Sequence, residues 1–402
     1  MNSEAKYIAE EIAQVVRKVS GISDADIPLH LPYTTKQDNL AIDKCFLDNW
    51  FAVNGPSVAE FERKLTQFTG LKYAIATNSG TAALHTLLHC TGKVLPDTEV
   101  LLPSLTFIAT ANAVSYCGAI PHFVDCEEST LGIHFDKLED YLSRIAVVSN
   151  KKLVNKETGR VISALVLVHI LGHPADCSKA KELCNKYNLV LLEDCAGALG
   201  SYYKGKHVGS YGEGSILSFN GNKIITTGGG GAILTNSKVY AEKARFLVNT
   251  AKSVHPWKYK HKTLGFNYGM PNLNAALGVG QFTHIQSILD AKQKLADDYI
   301  KEFESSSFLF KASFEPSSKV NYWLNAVQLK QEDAQFLEEV VEALHQLNIF
   351  CRPIWKPLHT LPLYQNNPRM SMEKTEKLAK QLICIPSFPY KFLTNQSDSQ
   401  KY

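Results

Sequence analysis

Buried strands alternating with helical segments are the pattern that most constrains the fold of this 402-residue chain. Strands are predicted at residues 72–77, 99–103, 119–125, 161–170 and 189–194. They have no polar face, and burial on both faces is typical of parallel strands covered by helices on each side. We therefore expect an α/β fold.

The pattern changes in the last third of the chain. Two strands, SILSFN and GAILT, are joined through the glycine-rich segment GNKIITTGGG, and from about residue 285 a long helix leads to shorter strands and a further helix at 332–347. This change predicts a second, smaller α+β domain. The predicted division is an N-terminal amphipathic helix at 1–26, a large α/β domain at 27–284 and a small α+β domain at 285–402.

The N-terminal segment carries apolar residues at helical spacing, among them Ile8, Ile12 and Val19. We expect it to pack on the protein body or on a partner subunit, and its acidic residues argue against a signal peptide. No apolar run reaches the roughly 18–20 residues that a membrane helix needs. No membrane association is therefore expected.

Charge and cysteine content argue against nucleic-acid binding, zinc binding and a disulfide-stabilised fold. Lys and Arg number 42 against 39 Asp and Glu, so the net charge of +3 gives no reason to expect nucleic-acid binding. The nine cysteines are scattered and form no C-x-x-C pair. This usage argues against a zinc site or a disulfide framework and fits a reducing cytoplasm.

Three features, given in chain order, indicate a site that could bind a ligand or react with it. The turn Asn78-Ser-Gly-Thr81 lies between a predicted strand and a helix, where free N–H groups can bind an anion or form an ordinary capped turn. Glu193 and Asp194 end a buried strand, where a carboxylate either pairs with a ligand cation or caps a surface turn. Lys223 lies between apolar strands just before four glycines.

Together these features suit pyridoxal 5'-phosphate. A lysine amine forms a Schiff base with the cofactor aldehyde, an acid pairs with its pyridine nitrogen, and a helix N-terminus holds its phosphate. Competing motifs are weaker. Gly200-x4-Gly205-Lys206 resembles a P-loop but is followed by His207 and is predicted to form a hairpin, and Gly228–Gly231 does not have the dinucleotide-binding spacing. The histidines show no metal-ligand spacing.

In these features the sequence resembles the DegT/DnrJ/StrS sugar aminotransferases, which are fold-type-I pyridoxal phosphate enzymes. The similarity covers about residues 27–390 and includes NSGTAAL, EDCAGALGS, SFNGNKIITTGGGGAILTN, GFNYGMPNLNAALG and RPIWKPLHTLPLY, in that order. It implies a large domain with a mostly parallel seven-stranded sheet and a smaller α+β C-terminal domain.

The resemblance also implies residue roles around the cofactor ring. Lys223 would be the Schiff-base lysine and the proton shuttle, Asp194 would pair with the pyridine nitrogen, and Phe107 would stack on the ring. Cofactor phosphate would be bound by the N–H groups of Gly80 and Thr81 and by the hydroxyl of Ser218.

Other implied roles involve a second subunit. Asn267 would reach the phosphate of the neighbouring subunit, which makes a homodimer with shared active sites the expected unit. The loop His255-Pro-Trp257 would border the partner's sugar site or serve only in packing.

The segment SFNGNKIITTGGGG is similar to the corresponding segment in one subgroup of the family. Enzymes of that subgroup aminate C4 of UDP- or GDP-linked 4-keto-6-deoxy-N-acetylhexosamines in bacillosamine and legionaminic acid pathways. The implied activity is cytoplasmic transfer of an amino group from L-glutamate to such a keto-sugar for surface polysaccharide, including lipopolysaccharide. A sugar dehydratase or deaminase of the same fold is an alternative, although His replaces the lysine in the related dehydratases. A cofactor-binding pseudo-enzyme is another.

Two positions depart from the family pattern. The motif after the aspartate usually ends in Gln, Glu or His, where this chain has Gly197, and G-[YF]-N-Y-R-M usually carries Arg, where it has Gly269. These departures are the support for the pseudo-enzyme alternative, while Lys223, Asp194 and Ser218 argue against it.

Overall fold

The computed structural model describes residues 2–306, 308–311 and 317–393. Its helices are α1 (Ser3–Ser20), α2 (Lys36–Leu47), α3 (Pro56–Thr69), α4 (Gly80–Cys90), α5 (Ala109–Tyr116), α6 (Phe135–Ile145), α7 (Cys177–Tyr187), α8 (Lys238–Val248), α9 (Asn272–Gln281), α10 (Ile285–Phe303), α11 (Leu337–Gln346), α12 (Glu373–Ala379) and α13 (Tyr390–Leu393).

A large mixed sheet forms the centre of the fold. Its strands are β1 (Tyr73–Thr77), β2 (Glu99–Pro103), β3 (Ile120–Val124), β4 (Ala146–Ser149), β5 (Lys152–Asn155), β6 (Val161–Val168), β7 (Val190–Asp194), β10 (Gly214–Ser218) and β11 (Gly231–Thr235). Seven of them form a path in the order β1–β11–β10–β7–β6–β2–β3, and the hairpin β4–β5 is added alongside β6. Neighbours from β10 to β3 are parallel, whereas β11 is antiparallel to both β10 and β1.

Two smaller sheets complete the strands. The four-stranded sheet has the order β12–β14–β16–β15 and the three-stranded sheet has the order β13–β8–β9. Their strands are β8 (Tyr202–Tyr203), β9 (Lys206–His207), β12 (Leu309–Phe310), β13 (Ser318–Lys319), β14 (Asn325–Gln328), β15 (Arg352–Pro353) and β16 (Leu382–Ile385). Strands β8 and β9 form the predicted hairpin, so the P-loop-like sequence opens no helix.

The strands from β10 to β3 are parallel because connections between parallel strands cross the sheet, and here helices that bury an apolar stripe make such crossings. Helix α7 is an example: Asp176 caps its N-terminus by accepting from the N–H of Lys179 at 2.9 Å, and Ala180, Leu183 and Cys184 are buried. The α/β class with a mostly parallel seven-stranded path is thereby confirmed.

Two large hydrophobic clusters lie in the described chain. One surrounds the main sheet, and the other joins α1, α10, α11 and the four-stranded sheet. Helix α10 contributes Leu289 to the first cluster and Tyr299 to the second. The N-terminal helix thus packs on the protein body through its apolar face, while the predicted domain division at residue 285 stays a prediction.

Several element bounds differ from the sequence predictions. The strand predicted at 161–170 ends at Val168, because Leu171 adopts a positive φ of 54° in a 3₁₀ turn. The helix predicted at 332–347 begins only at Leu337, after a 3₁₀ turn. Within the described ranges, no helix combines the length and the apolar character needed to cross a bilayer.

Candidate active site

The ends of four neighbouring strands meet at one edge of the main sheet. Thr77 at the end of β1 pairs with Gly231 at the start of β11, and Gly231 also pairs with Ser218 at the end of β10. Asp194 at the end of β7 pairs with Ile216, two residues before Ser218. The strand register therefore brings the predicted acid, hydroxyl and turn to a single edge, where α/β sheets bind their ligands.

Lys223 lies beside this edge in the segment that connects β10 to β11. Its backbone N–H donates to the carbonyl of Asn220 at 3.0 Å, and its Nζ lies 3.4 Å from the ring centroid of Trp323. Although the residue keeps partial exposure, burial lowers the pKa of its amine to about 7, and the charge of Asp194 opposes that shift. A substantial fraction of the amine is therefore neutral, and thus nucleophilic, near neutral pH.

Asp194 is held in a fixed orientation by two donors. Its Oδ2 accepts from the hydroxyl of Thr110 at 2.8 Å, and its Oδ1 accepts from the N–H of Ala196 at 3.0 Å. Both Asp194 and Thr110 are buried, with exposed fractions of 6% and 2%. Thr110 could not be identified from the sequence, because nothing local to α5 indicates a contact with a strand 84 residues away.

The neighbouring acid, Glu193, has a structural role. Side chains alternate between the faces of a strand, so Glu193 points away from Asp194. Its carboxylate accepts from the N–H groups of Gly209 at 2.7 Å, Tyr211 at 2.7 Å and Gly212 at 2.8 Å, and His169 lies 3.3 Å away. These bonds fix the segment before β10, and they leave Asp194 as the acid that faces Lys223.

A close approach between the start of α4 and the end of β10 forms an anion cradle. Ser79 caps α4 and accepts from the N–H of Ala82 at 3.1 Å, which leaves the first-turn N–H groups of Gly80 and Thr81 without an intrahelical acceptor. A Cβ on Gly80 would lie only 3.0 Å from the Cβ of Ser218. The predicted phosphate-binding residues are therefore brought together, and glycine at position 80 permits this close approach.

Close backbone approach and a positive φ also explain two of the glycines in the run after Lys223. A Cβ on Gly231 would lie 2.4 Å from the carbonyl carbon of Ser79, so β11 could not pass the start of α4 with any larger residue. Gly228 has a φ of +75°, a conformation that favours glycine. These two positions confirm the expectation of close backbone approach and positive φ in this segment.

The remaining predicted residues lie nearer the surface. Phe107 precedes Thr110 at the start of α5 and is 57% exposed, so its ring face is available to a ligand. Asn267 is exposed, and its carbonyl accepts from Nδ2 of Asn78 at 3.4 Å, which places it beside the turn of its own chain. In the loop at 255–257, the Trp257 ring is 75% exposed and packs edge-on against His255. Whether either contacts a second subunit stays a prediction.

Close neighbours surround both glycine departures, more tightly at Gly197 than at Gly269. A Cβ on Gly197 would lie 2.2 Å from Cε3 of Trp323, so the indole ring fills the space that a side chain would need. A Cβ on Gly269 would lie 3.1 Å from both Val53 and Asn249, which is tighter than ordinary contact. The space at 197 is taken by the indole, whereas a side chain at 269 would require Val53 or Asn249 to shift slightly.

A cleft of about 1050 Å³ lies to one side of this edge. It is lined by α3, α8 and the segment 249–255. Asn267 lines it, but Lys223, Asp194, Gly80, Thr81, Ser218 and Phe107 do not. The residues with defined chemistry therefore lie outside this cleft, and only Asn267 links the two regions.

Structural comparison places the fold among aminotransferases. The chain matches the Helicobacter pylori protein PseC, an aminotransferase involved in the biosynthesis of pseudoaminic acid, with a TM-score of 0.82 over 92% of this chain and 96% of that one. The two sequences are 24% identical, so this likeness describes the fold alone.

Sequence similarity identifies the family. The chain belongs to the DegT/DnrJ/EryC1/StrS aminotransferase family, whose profile matches residues 32–397. It is 34% identical to a GDP-perosamine synthase of Escherichia coli O157:H7, over 90% of this chain and 93% of the relative. It is also 32% identical to a UDP-4-amino-4,6-dideoxy-N-acetyl-beta-L-altrosamine transaminase of Campylobacter jejuni, over 81% and 82% of the two chains.

Members of this family depend on pyridoxal 5'-phosphate, and the residues of this chain fit that group. The cradle at the start of α4 offers the N–H groups of Gly80 and Thr81, which have no intrahelical acceptor, and the nearby hydroxyl of Ser218, and these groups suit a phosphate. Asp194 accepts one bond at each oxygen, which leaves further lone pairs for a ring N–H. The amine of Lys223 lies near enough to Asp194 to sense its charge. The chain is therefore a cofactor-dependent aminotransferase.

Proposed function

We propose that this protein transfers an amino group from L-glutamate to a nucleotide-linked keto-deoxy sugar, with C4 of a UDP-linked 4-keto-6-deoxy-N-acetylhexosamine as the favoured acceptor. The observation that carries the proposal is the strand edge that brings Lys223, Asp194 and the Gly80–Ser218 cradle together. The product would serve surface polysaccharide synthesis. When bound, the cofactor supplies an aldehyde that accepts the amino group from the donor and passes it to the ketone.

Each residue of the edge has a defined task in this proposal. The Gly80 and Thr81 N–H groups and the Ser218 hydroxyl hold the phosphate at the helix N-terminus, where the helix dipole favours an anion. Asp194 accepts the ring N–H, and Thr110 keeps that carboxylate oriented. The exposed face of Phe107 stacks on the ring.

Lys223 acts as nucleophile and then as acid and base. Its neutral amine would hold the cofactor through its aldehyde, and, when free, the same amine would serve as the base and acid that moves the proton during amino transfer. A pKa of about 7 suits both tasks, because neutral and charged forms coexist near neutral pH. This retained lysine favours transamination over the dehydratase alternative.

A second copy of the chain would complete the site. Large apolar side chains at 46–51 and 254–264 are exposed, and the chain segments beside both groups border the same cleft: Val53 and Asn54 on one side, Lys252 to His255 on the other. Exposed apolar surface of this extent is typical of a protein interface. We propose that a homodimer buries it and brings Asn267 and the loop at 255–257 toward the partner's site.

The relatives leave two nucleotide classes to compare. One relative is named for a UDP-linked 4-amino-4,6-dideoxy sugar and another for GDP-perosamine. The UDP linkage and the N-acetyl group proposed here agree with the first name. The GDP-linked class is the alternative that the experiment must separate.

The test uses the purified full-length protein, ¹⁵N-labelled L-glutamate and matched UDP- and GDP-linked 4-keto-6-deoxy sugars. We expect the visible absorption of the lysine-linked cofactor to disappear with glutamate and to return with the UDP-linked N-acetylated sugar, whose C4 then carries ¹⁵N. Turnover of the GDP-linked sugar alone would overturn the nucleotide assignment. If glutamate leaves the absorption unchanged, the donor assignment fails.

A further inference from the structure

Trp323 occupies a central place between the strand edge and the small sheet. Its backbone N–H donates to Oδ1 of Asn321 at 2.9 Å, and its indole Nε1–H donates to the carbonyl of Asn222 at 2.6 Å. Asn222 directly precedes Lys223, so the indole is bonded to the same loop that carries the lysine. The residue is 5% exposed, and its ring stacks against Trp355 at 6.4 Å. These bonds fix the ring in one orientation.

Gly197 makes room for this ring. Its carbonyl accepts from Nδ2 of Asn321 at 2.9 Å, which holds the segment after β7 against residues 321–323. A Cβ at position 197 would come within 2.2 Å of Cε3 and 2.7 Å of Cζ3 of Trp323. Real Cβ atoms do not approach other heavy atoms so closely. The indole can therefore lie where it does only while residue 197 is a glycine.

The other contact of the ring is with the lysine amine. Nζ of Lys223 lies 3.4 Å from the ring centroid, well within the roughly 6 Å at which an ammonium is attracted to an aromatic face. Such attraction is larger where water is excluded, and the amine of Lys223 is desolvated. The indole face can thus position the nitrogen and favour its charged form at the same time.

We propose that Trp323 is the positioning residue for Lys223, holding its amine against the indole face in a space that Gly197 leaves open. The inference rests on the proposed role of Lys223 as the cofactor-linked lysine. Gly197 is then part of the site, because the Trp323 ring can occupy its place beside Lys223 only when residue 197 has no side chain. It also gives a reason why this chain lacks the side chain that the family usually carries at 197, since the indole occupies that space.

The charged and titratable groups that face Lys223 determine how the proposal can be tested. Asp194, from the end of β7, raises the pKa of the amine, and His30, from the segment before α2, interacts with Lys223 as well. Burial together with the charges of Lys292 and Lys223 holds the pKa of His30 well below its usual value, so His30 is neutral near pH 7. A change in the pKa of Lys223 can therefore be assigned to the ring when Asp194 is unchanged.

The test follows capture of added pyridoxal 5'-phosphate by the full-length protein freed of bound cofactor, across pH. Capture needs the neutral amine, so its midpoint in pH reports the pKa of Lys223. Trp323→Leu keeps an apolar neighbour but removes the ring face. We expect its midpoint to fall by about one pH unit, whereas Trp323→Phe keeps a ring and stays near the native midpoint.

A second variant protects the test against misfolding. Gly197→Ala should displace the indole and lower the midpoint in the native chain, but it should have no further effect in the Trp323→Leu background. Borohydride reduction followed by peptide mapping then identifies the linked lysine. Linkage at a lysine other than 223 would overturn the proposed role of Lys223. Linkage at Lys223 with the native midpoint retained in Trp323→Leu and Gly197→Ala would overturn the role of Trp323 alone.

Discussion

The hydroxyl of Thr110 donates to Oδ2 of Asp194 at 2.8 Å, and this bond connects the first turn of α5 to the carboxyl end of β7. A hydrogen bond to a charged group contributes about 1.5–3 kcal/mol. Thr110→Val removes the donor but keeps the shape, so we expect kcat/KM for the L-glutamate half-reaction to fall about tenfold or more. Thr110→Ser keeps the hydroxyl and is the matched control. If both variants have equal rates, Thr110 does not orient Asp194.

Replacement of Lys223 by methionine should remove catalysis without removing the fold. The residue would lose both the nucleophile and the proton shuttle, and general acid–base catalysis alone is worth about 10²–10⁴ in rate. We expect no detectable transamination, with the native circular dichroism spectrum and the native oligomeric state in size-exclusion chromatography. Residual activity within tenfold of the native rate would show that another group moves the proton.

The cradle at the start of α4 should tolerate no added methyl group. A Cβ on Gly80 would lie 3.0 Å from the Cβ of Ser218 and would force the first turn of α4 and Ser218 apart. Since overpacking a tight site costs about 1–3 kcal/mol, we expect Gly80→Ala to weaken cofactor binding by about five- to 150-fold, measured by equilibrium dialysis. Gly221→Ala is the control, because its Cβ would meet no atom within 4 Å. Equal cofactor affinity in the two variants would argue against the cradle.

A second buried lysine gives a prediction about stability. Lys292 is 1% exposed, its Nζ donates to the carbonyl of Ser387 at 2.6 Å, and it lies 3.3 Å from Nε2 of His30. Burial lowers its pKa from 10.5 to about 7. Between these values the unfolded chain binds a proton that the folded chain does not, so the free energy of unfolding rises with pH.

The Lys292→Met variant should lose this rise. From pH 7.5 to 9.5 we expect the native protein to gain about 2 kcal/mol more than the variant in urea unfolding, since one pKa unit corresponds to about 1.4 kcal/mol. Lys294→Met, on the exposed side of the same helix, is the control and should follow the native protein. Parallel curves for native protein and Lys292→Met would show that Lys292 does not have this lowered pKa.

Most of the main sheet could be predicted because its determinants are local. The strand at 99–103 and the helix capped by Asp176 were located from apolar runs and cap residues alone. The hairpin β4–β5 was not predicted, because Val147 and Val148 are exposed and its four-residue strands do not alternate clearly. The apolar segment 106–118 favours a helix that ends at Gly118, but α5 covers only Ala109–Tyr116 of it.

The site could be predicted only in part. Gly80, Asp194, Ser218 and Lys223 follow strand ends or turns, and their positions in the sequence indicate that edge of the sheet. Thr110 and Trp323 act through contacts with residues far away in sequence, and neither carries a local signal. The glycine at 197 could be recognised as unusual, but the indole that fills its place is 126 residues further along the chain.

The most direct test of the central claim is the identity of the lysine that binds the cofactor covalently. The full-length protein with bound pyridoxal 5'-phosphate is reduced with borohydride, digested and mapped by mass spectrometry. We expect the label on Lys223, and we expect no label on the Lys223→Met variant. Labelling of Lys292, whose pKa burial also lowers to about 7, or of any other lysine in place of Lys223 would contradict it.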